Sequence, residues 1–176
     1  MVYMFLGDGF EEAEAICTVD ILKRCGIDVK TVSVMGDLCV RGAHDILINA
    51  DTAIEKIGDD AEMYILPGGT VGVENLSKCK KLCDILKSTS AQIAAICAAP
   101  TLLARLGLLK GKKAICYPSL TDELDGAEIV HERVVTDGRI TTSMGPGTSF
   151  DFGLALALSL ADKAVVENVK AGMLIK

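Results

Sequence analysis

The chain has 176 residues, a length typical of one domain with a sizeable core, and we predict a single domain over residues 1–176. Its net charge of −6 and lack of a basic cluster argue against nucleic acid or an anionic membrane surface as a partner. Seven cysteines without a repeated spacing, and two histidines without a C-x-x-C pair, predict a reduced, cytoplasmic protein without a metal site.

The first third of the chain alternates between strand and helix patterns. Residues 2–6 form an apolar run that is too short for a signal peptide or a membrane span, so we interpret it as a strand. In order, we predict a helix at 10–25 ended by Gly26, a strand at 29–34, a loop or hairpin at 36–43, a short strand at 45–48 and a buried strand at 62–66. Pro67-Gly68-Gly69 then breaks the chain.

The middle of the chain carries two helix patterns and one strand. Ser77 is predicted to cap a helix on which Cys79 and Cys83 share an apolar stripe with two leucines, so we interpret both cysteines as packing residues. Residues 91–96 are an apolar run of strand length, and a helix that stops at Gly107 follows. Cys97 lies at the joint between this strand and this helix.

The last third is predicted as a strand at 114–117, a hairpin of residues 129–135 and 139–143, and two helices. The first helix, at 149–161 with Asp151 near its start, is apolar on every side and is expected to be buried. The second, at 164–171, is amphipathic. Strands alternating with helices predict an α/β sandwich with a largely parallel sheet.

Three of these joints are expected at the carboxyl ends of parallel strands, where open α/β sheets bind ligands. They are residues 7–9, residues 67–69 and Cys97, and they can converge on one crevice. The start of a helix lowers the pKa of a thiol, so Cys97 is a candidate reactive thiolate, although a buried cysteine that only packs fits the same pattern. The Gly68-Gly69 turn, together with the amide of Ala98, could provide an oxyanion hole.

Four motifs resemble those of a known family. They are G-F-E-E-A-E at residues 9–14, L-P-G-G at 66–69, A-A-I-C-A-A-P-T-L-L at 94–103 and G-P-G-T-S-F-D-F at 145–152. Together, in this order and at compatible spacing, they resemble the ThiJ/PfpI family, and within it the DJ-one branch of the parkinsonism-associated deglycase. The resemblance covers essentially the whole chain.

The resemblance implies a flavodoxin-like, three-layer α/β/α sandwich of the class I glutamine amidotransferase-like type, usually a homodimer. It places the nucleophile on Cys97, a protonated acid on Glu14, and the oxyanion-hole amides on Gly69 and Ala98, with Gly68 lining the site. Tyr117 is a further position that is expected to line the site. The implied activities need no cofactor: a glyoxalase that converts methylglyoxal to lactate, deglycation of early glyoxal adducts, and redox sensing by cysteine oxidation.

Two departures from the family pattern affect the functional prediction. Protease-like relatives carry a histidine where Ala98 stands, which disfavours a cysteine peptidase or amidase. The deglycase branch often has a histidine where Tyr117 stands, and a phenol with a pKa near ~10 cannot replace imidazole as a base at neutral pH. His131 is not expected in the site, and His44 is only a distant candidate.

We therefore predict an enzyme that acts through Cys97 on an α-oxoaldehyde or an early glycation adduct, with Glu14 moving a proton. A non-catalytic oxidative-stress sensor or chaperone that works through Cys97 oxidation stays open as the alternative, because the same accessible thiol serves both functions.

Overall fold

The computed structural model describes residues 1–58 and 60–175, and its elements follow the alternating pattern of an α/β protein. The strands are β1 (Val2–Leu6), β2 (Val29–Ser33), β3 (Cys39–Arg41), β4 (Leu47–Asn49), β5 (Thr52–Ala53), β6 (Met63–Leu66), β7 (Gln92–Ile96), β8 (Lys113–Ala114), β9 (Glu128–Ile129), β10 (Val134–Asp137) and β11 (Ile140–Ser143). The helices are α1 (Glu12–Arg24), α2 (Thr70–Lys78), α3 (Lys80–Ser88), α4 (Ala99–Arg105), α5 (Ser149–Leu160) and α6 (Lys163–Gly172). Short 3₁₀ turns lie at Ile54–Lys56, Pro118–Glu123 and Pro146–Thr148.

Seven strands form the central sheet, in the order β10-β11-β7-β6-β1-β2-β5. All neighbours are parallel except β10 and β11, which form the predicted hairpin at one edge. The chain builds outward from β1 to β2 and β5, and then returns to the other side of β1 at β6. This reversal is a topological switch point, where sheets of this kind leave a crevice at the carboxyl ends of their strands.

Helices cover both faces of the sheet. Tyr3 and Phe5 of β1 pack in a core with residues of α2, α3 and α4, whereas Met4 and Leu6 pack on the opposite face with residues of α1, α5 and α6. Because β1 is buried on both faces, its sequence is continuously apolar rather than alternating. The predicted three-layer α/β/α sandwich is confirmed.

Two sequence predictions about single elements were wrong. Ser77 does not cap a helix, because it lies in the last turn of α2 and its hydroxyl donates to the carbonyl of Glu74. Cys79 instead forms the start of α3, and it packs with Cys83 against the core as predicted. The predicted strand at 114–117 shrinks to β8, which pairs with β9 in a separate two-stranded sheet.

The other predicted elements agree with the sequence to within a few residues, whereas α2 was not predicted. The uncertain region at 36–48 is a hairpin of β3 and β4, and β5 was not predicted. Six of the twelve residues of α5 are buried, but Phe150 and Leu158 are 43% and 48% exposed, so the prediction of complete burial was wrong there. Within the described ranges, no helix combines the length and apolar character needed to cross a membrane.

Candidate active site

Cys97 occupies the tight turn between β7 and α4. Its φ of +65° lies in the left-handed region, which costs a residue with a Cβ about 1–3 kcal/mol and is typical of functional sites. The N–H of Cys97 donates to the carbonyl of Ser143 at 3.0 Å, and its own carbonyl accepts from the N–H of Tyr117 at 2.9 Å. These two bonds hold the turn, so the thiol projects from the carboxyl edge of the sheet as predicted.

The three joints expected to converge do so around this thiol. The N–H of Glu11 donates to the carbonyl of Gly68 at 3.0 Å, and that of Gly72 donates to Gly9 at 3.2 Å. The turn after β1 and the turn after β6 are therefore bonded to each other, and Cys97 follows the next strand, β7. One crevice at the switch point thus contains all three turns.

Gly68 and Gly69, which follow β6, occupy positions where a side chain would collide with neighbouring atoms. A Cβ on Gly68 would lie 2.6 Å from Cβ of Cys97 and equally close to Oε2 of Glu14. Gly69 has a φ of +85°, and a Cβ there would collide with the carbonyl oxygen of Gly9. Because neither residue has a side chain, Gly68 can lie against Cys97 and Glu14, and Gly69 can lie against the turn after β1.

Glu14 extends from the first turn of α1 into the crevice and is completely buried. Its Oε2 accepts the N–H of Gly68 at 2.6 Å. Burial raises the pKa of Glu14 to about 7, against the lowering effects of the hydrogen bonds from Gly68 and Cys97. The negative charge of Glu11 raises this pKa further. The carboxyl group therefore exchanges its proton near neutral pH, where an ordinary glutamate stays ionised.

The prediction of a lowered Cys97 pKa was wrong. Burial, the charge of Glu14 and a hydrogen bond to Glu14 raise the thiol pKa to about 12. The N–H groups of Gly69 and Ala98 do bond to the sulfur and lower its pKa, as a helix start should, but burial and the carboxylate outweigh them. The sequence could not reveal that the acid would be buried against the sulfur.

Glu14 and Cys97 consequently act as one unit. With pKa values of about 7 and about 12, the pair holds a single proton and a single negative charge between these two pH values. When the proton moves from the thiol to Glu14, the charge moves to the sulfur, where two N–H groups receive it. The site can thus form a thiolate by proton transfer within the pair.

Tyr117 borders the same crevice. A Cβ built on Gly145 would lie 3.3 Å from Cδ2 of Tyr117 and 3.9 Å from Sγ of Cys97, so the ring and the thiol flank this glycine. The Tyr117 side chain is 47% exposed. The geometry thus agrees with its predicted place at the edge of the site.

His44 contacts Glu12, the first residue of α1. Its Nδ1 is 2.8 Å from Oε2 of Glu12, which is at the start of α1. Within the described part of the chain, Glu11, Glu12 and His44 are the group whose ligand atoms approach each other closely enough, within 4.8 Å, for one metal ion. The hydrogen bond to Glu12 raises the pKa of His44, so the pair is already satisfied as an ion pair. We assign no metal to it.

The model of the DJ-1/PfpI family matches residues 1–158. The chain belongs to the DJ-1/PfpI family.

Individual members of the DJ-1/PfpI family match over most of this chain. The Drosophila melanogaster protein dj-1beta is 36% identical over 98% of this chain and 95% of its own. Its crystal structure has a TM-score of 0.95 and covers 99% of this chain and 97% of its own. A structure of oxidised Toxoplasma gondii DJ-1 has a TM-score of 0.93 at 31% identity, covering 98% and 97% of the two chains. A Caenorhabditis elegans relative, 32% identical over 85% of this chain and 82% of its own, is named a glutathione-independent glyoxalase.

One part of the site in this DJ-1/PfpI chain was missed from the sequence. The 145–148 segment was recognised only as a chain break and a family motif, yet Gly145 lies beside the thiol. Thr148 fixes this segment, since its hydroxyl accepts from the N–H of Gly145 at 3.1 Å and lies 2.8 Å from the Gly145 carbonyl. The G-P-G-T pattern was the available signal, but nothing local indicated which turn it would face.

Proposed function

We propose that this DJ-1/PfpI protein is a cofactor-independent glyoxalase that converts α-oxoaldehydes such as methylglyoxal to 2-hydroxy acids. The observation that carries the proposal is the Cys97–Glu14 pair, which shares one proton at neutral pH next to the N–H groups of Gly69 and Ala98. The name of the Caenorhabditis elegans relative supports the same chemistry.

The reaction begins when Glu14 takes the thiol proton and the Cys97 sulfur adds to the aldehyde carbon. The aldehyde oxygen becomes an alkoxide, which the N–H groups of Gly69 and Ala98 stabilise before it is protonated to a hemithioacetal. Glu14 then moves the proton from the former aldehyde carbon to the ketone carbon, while the proton of the hemithioacetal hydroxyl passes to the ketone oxygen, giving a 2-hydroxy thioester. Water then releases the 2-hydroxy acid and returns the thiol, so the net change is the addition of one water molecule.

Early adducts of glyoxals with amines or thiols are proposed as further substrates. They contain the same two-carbon unit, and the Cys97 thiolate would displace the amine or thiol after attack on that unit. The crevice is open enough at Tyr117, which is 47% exposed, for part of a larger molecule to remain in solvent.

Lactate formation tests the proposal directly. Purified protein is incubated with methylglyoxal without thiols, and lactate is followed by proton NMR. We expect lactate from the wild type, none from Cys97→Ser, and unchanged turnover from Cys39→Ser, which removes an exposed thiol on β3. Absence of lactate from folded wild type would overturn the proposal.

Redox sensing is the second candidate, and the tyrosine at position 117 favours it because no imidazole base stands there. Two equivalents of peroxide would convert the Cys97 thiol to a sulfinate with release of two waters. A wild-type protein that forms no lactate, but gains 32 Da at Cys97 under limiting peroxide by mass spectrometry, would support this function instead.

A homodimer is the assembly that we propose for this chain. Ile16, Ile46 and Leu47 are 41%, 53% and 53% exposed, which is high for large apolar residues. Ile16 lies one turn after Glu12 on α1, and the N–H of Ile46 bonds to Glu12, so α1 and the β3–β4 hairpin form one apolar surface. Sedimentation should show a dimer for the wild type and for Val165→Asp on α6, and a monomer for Leu47→Asp.

A further inference from the structure

An open cavity of about 210 Å³ is lined in part by Gly145, which also lies beside the thiol of Cys97. Its lining is mostly apolar and includes the ring of Tyr117, Pro118, Met144 and the 145–148 segment, with Arg133 at one side. The methyl group of methylglyoxal would occupy only a small part of this volume. The cavity therefore has room for a substrate group that the reaction itself does not require.

Hydrogen bonds make the wall of this cavity rigid. The hydroxyl of Ser143 donates to the carbonyl of Arg133 at 2.7 Å and lies 2.7 Å from the hydroxyl of Thr148, which in turn bonds to both backbone groups of Gly145. A preformed wall loses little entropy when a ligand packs against it.

The cation at the cavity edge is already neutralised. Arg133 donates through Nε and Nη2 to Oδ2 of Asp151 at 2.8 and 2.6 Å, and through Nη2 to the carbonyl of Gly147 at 2.7 Å. An arginine engaged in this way attracts a second anion weakly. The cavity thus suits an uncharged, apolar group better than a carboxylate or a phosphate.

Gly145 forms the passage between the thiol and the cavity. A Cβ at this position would lie 3.9 Å from Sγ of Cys97 and 3.3 Å from the Tyr117 ring, in the space that a group attached to the reacting carbons would cross. The backbone of Gly145 is extended, with φ of 162°, so an alanine can adopt it. Glycine is therefore needed here for space and not for backbone conformation.

We propose that this cavity binds the substituent on the ketone carbon of the substrate, and that it selects α-oxoaldehydes with an aromatic or branched substituent over methylglyoxal. The inference rests on the proposed glyoxalase function and names its substrate class. Tyr117 and Gly145 determine this specificity: the tyrosine ring packs against the substituent, and the glycine leaves the passage open. The chemistry is unchanged, since phenylglyoxal and one water give mandelate as methylglyoxal and one water give lactate.

The test compares kcat/KM for phenylglyoxal and methylglyoxal, measured as initial rates. Because the two aldehydes differ in intrinsic reactivity, the decisive quantity is the change in their ratio on mutation. We expect Gly145→Ala and Tyr117→Ala to lower the phenylglyoxal-to-methylglyoxal ratio about tenfold, as pocket contacts of this size do. Tyr117→Phe, which keeps the ring, and Val165→Ala, an exposed apolar residue on α6, should retain the wild-type ratio.

The outcomes separate this inference from the proposed function. Lactate formation with a ratio that neither Gly145→Ala nor Tyr117→Ala changes would overturn the cavity assignment and leave the glyoxalase in place. If neither aldehyde is converted, protection of Cys97 from iodoacetamide by mandelate, compared with lactate, decides the matter. Protection by mandelate that is lost in Tyr117→Ala would support the cavity without the glyoxalase, and equal protection by both acids would overturn it.

Discussion

In the proposed mechanism, Cys97 becomes a nucleophile through Glu14 and not through its own acidity. Its pKa of about 12 would leave an isolated thiol inactive at neutral pH, but Glu14 has a pKa of about 7 and is buried against it. Above pH 7 the ionised carboxyl can accept the thiol proton, and in the proposed mechanism it provides the base that an imidazole at position 117 would otherwise supply. One residue can then activate the sulfur and later move the substrate proton.

Removing the carboxyl of Glu14 should change how Cys97 alkylation depends on pH. In the wild type we expect the iodoacetamide rate at Cys97 to rise as pH passes about 7, because Glu14 loses its proton there and becomes available as the base. Glu14→Gln keeps the shape and cannot ionise, so this rise should disappear. Mass spectrometry of each cysteine from pH 5 to 9 measures both profiles.

Cys39 supplies the internal control for this measurement, since it is exposed on β3 and far along the chain from Glu14. Its alkylation profile should be identical in the two proteins. If Glu14→Gln kept the rise near pH 7 at Cys97, the carboxyl would not be the base, and the proposed pairing would have to be abandoned.

Tyr117 is the second residue at which the chemistry can be adjusted. An imidazole here would add a base that titrates near neutral pH, and a positioned general base contributes about 10²–10⁴-fold to a rate. Because Glu14 moves the protons in the proposed mechanism, we expect a smaller gain: Tyr117→His should raise kcat for methylglyoxal about tenfold or less. Proton NMR of lactate measures this turnover, and Tyr117→Phe is the control for loss of the hydroxyl. If Tyr117→His turned over no faster than Tyr117→Phe, a side chain at position 117 would not reach the reacting atoms.

At the scale of the elements, the sequence predicted the helices and strands that are specified by a local residue pattern. β1 and β7 have apolar runs of strand length, and the helix before Gly107 has a clear stop, so the Cys97 elbow was predictable. α2 was missed because it contains Gly72 and β-branched valines, which have low helix propensity. A Cβ on Gly72 would lie 2.7 Å from the backbone of Phe10, so packing against the turn after β1 requires the glycine.

The prediction of a strand at 114–117 was wrong for a related reason. Its residues favour a strand, but its N–H groups bond outside any ladder: that of Ile115 donates to Oγ1 of Thr142, and that of Tyr117 donates to the carbonyl of Cys97. These partners lie 27 and 20 residues away, and no local pattern identifies them. The same limit explains the pKa of Cys97, since only the folded chain shows that Glu14 is buried against the sulfur.

For the molecule as a whole, burial of the Glu14 carboxyl in the candidate site lowers the free energy of unfolding at neutral pH. Glu14 has no exposed surface, and its pKa is raised from 4.5 to about 7, so folding disfavours its ionised form. In the unfolded chain the carboxyl ionises near pH 4.5, and in the folded protein it stays protonated up to about pH 7. The stabilisation that depends on the protonated Glu14 is therefore fully present below pH 4.5, and it is lost as the pH rises to about 7.

This loss predicts a pH-dependent effect of Glu14→Gln on the free energy of unfolding. A shift of this size corresponds to roughly 3 kcal/mol at most, because each pKa unit is worth about 1.4 kcal/mol. Urea unfolding measures this effect in a Cys97→Ser background, where the carboxyl is the one group of the pair that titrates. The free energy of unfolding of Glu14→Gln, relative to that of the protein with Glu14, should increase between pH 4.5 and 7. It should then stay constant to pH 8. An Asp20→Asn variant, which alters an exposed carboxylate paired with Arg24 on the same helix, should show no such increase. A Glu14→Gln difference independent of pH would mean that the buried carboxyl ionises as an ordinary glutamate, and the proton-sharing pair at the centre of the mechanism would not exist.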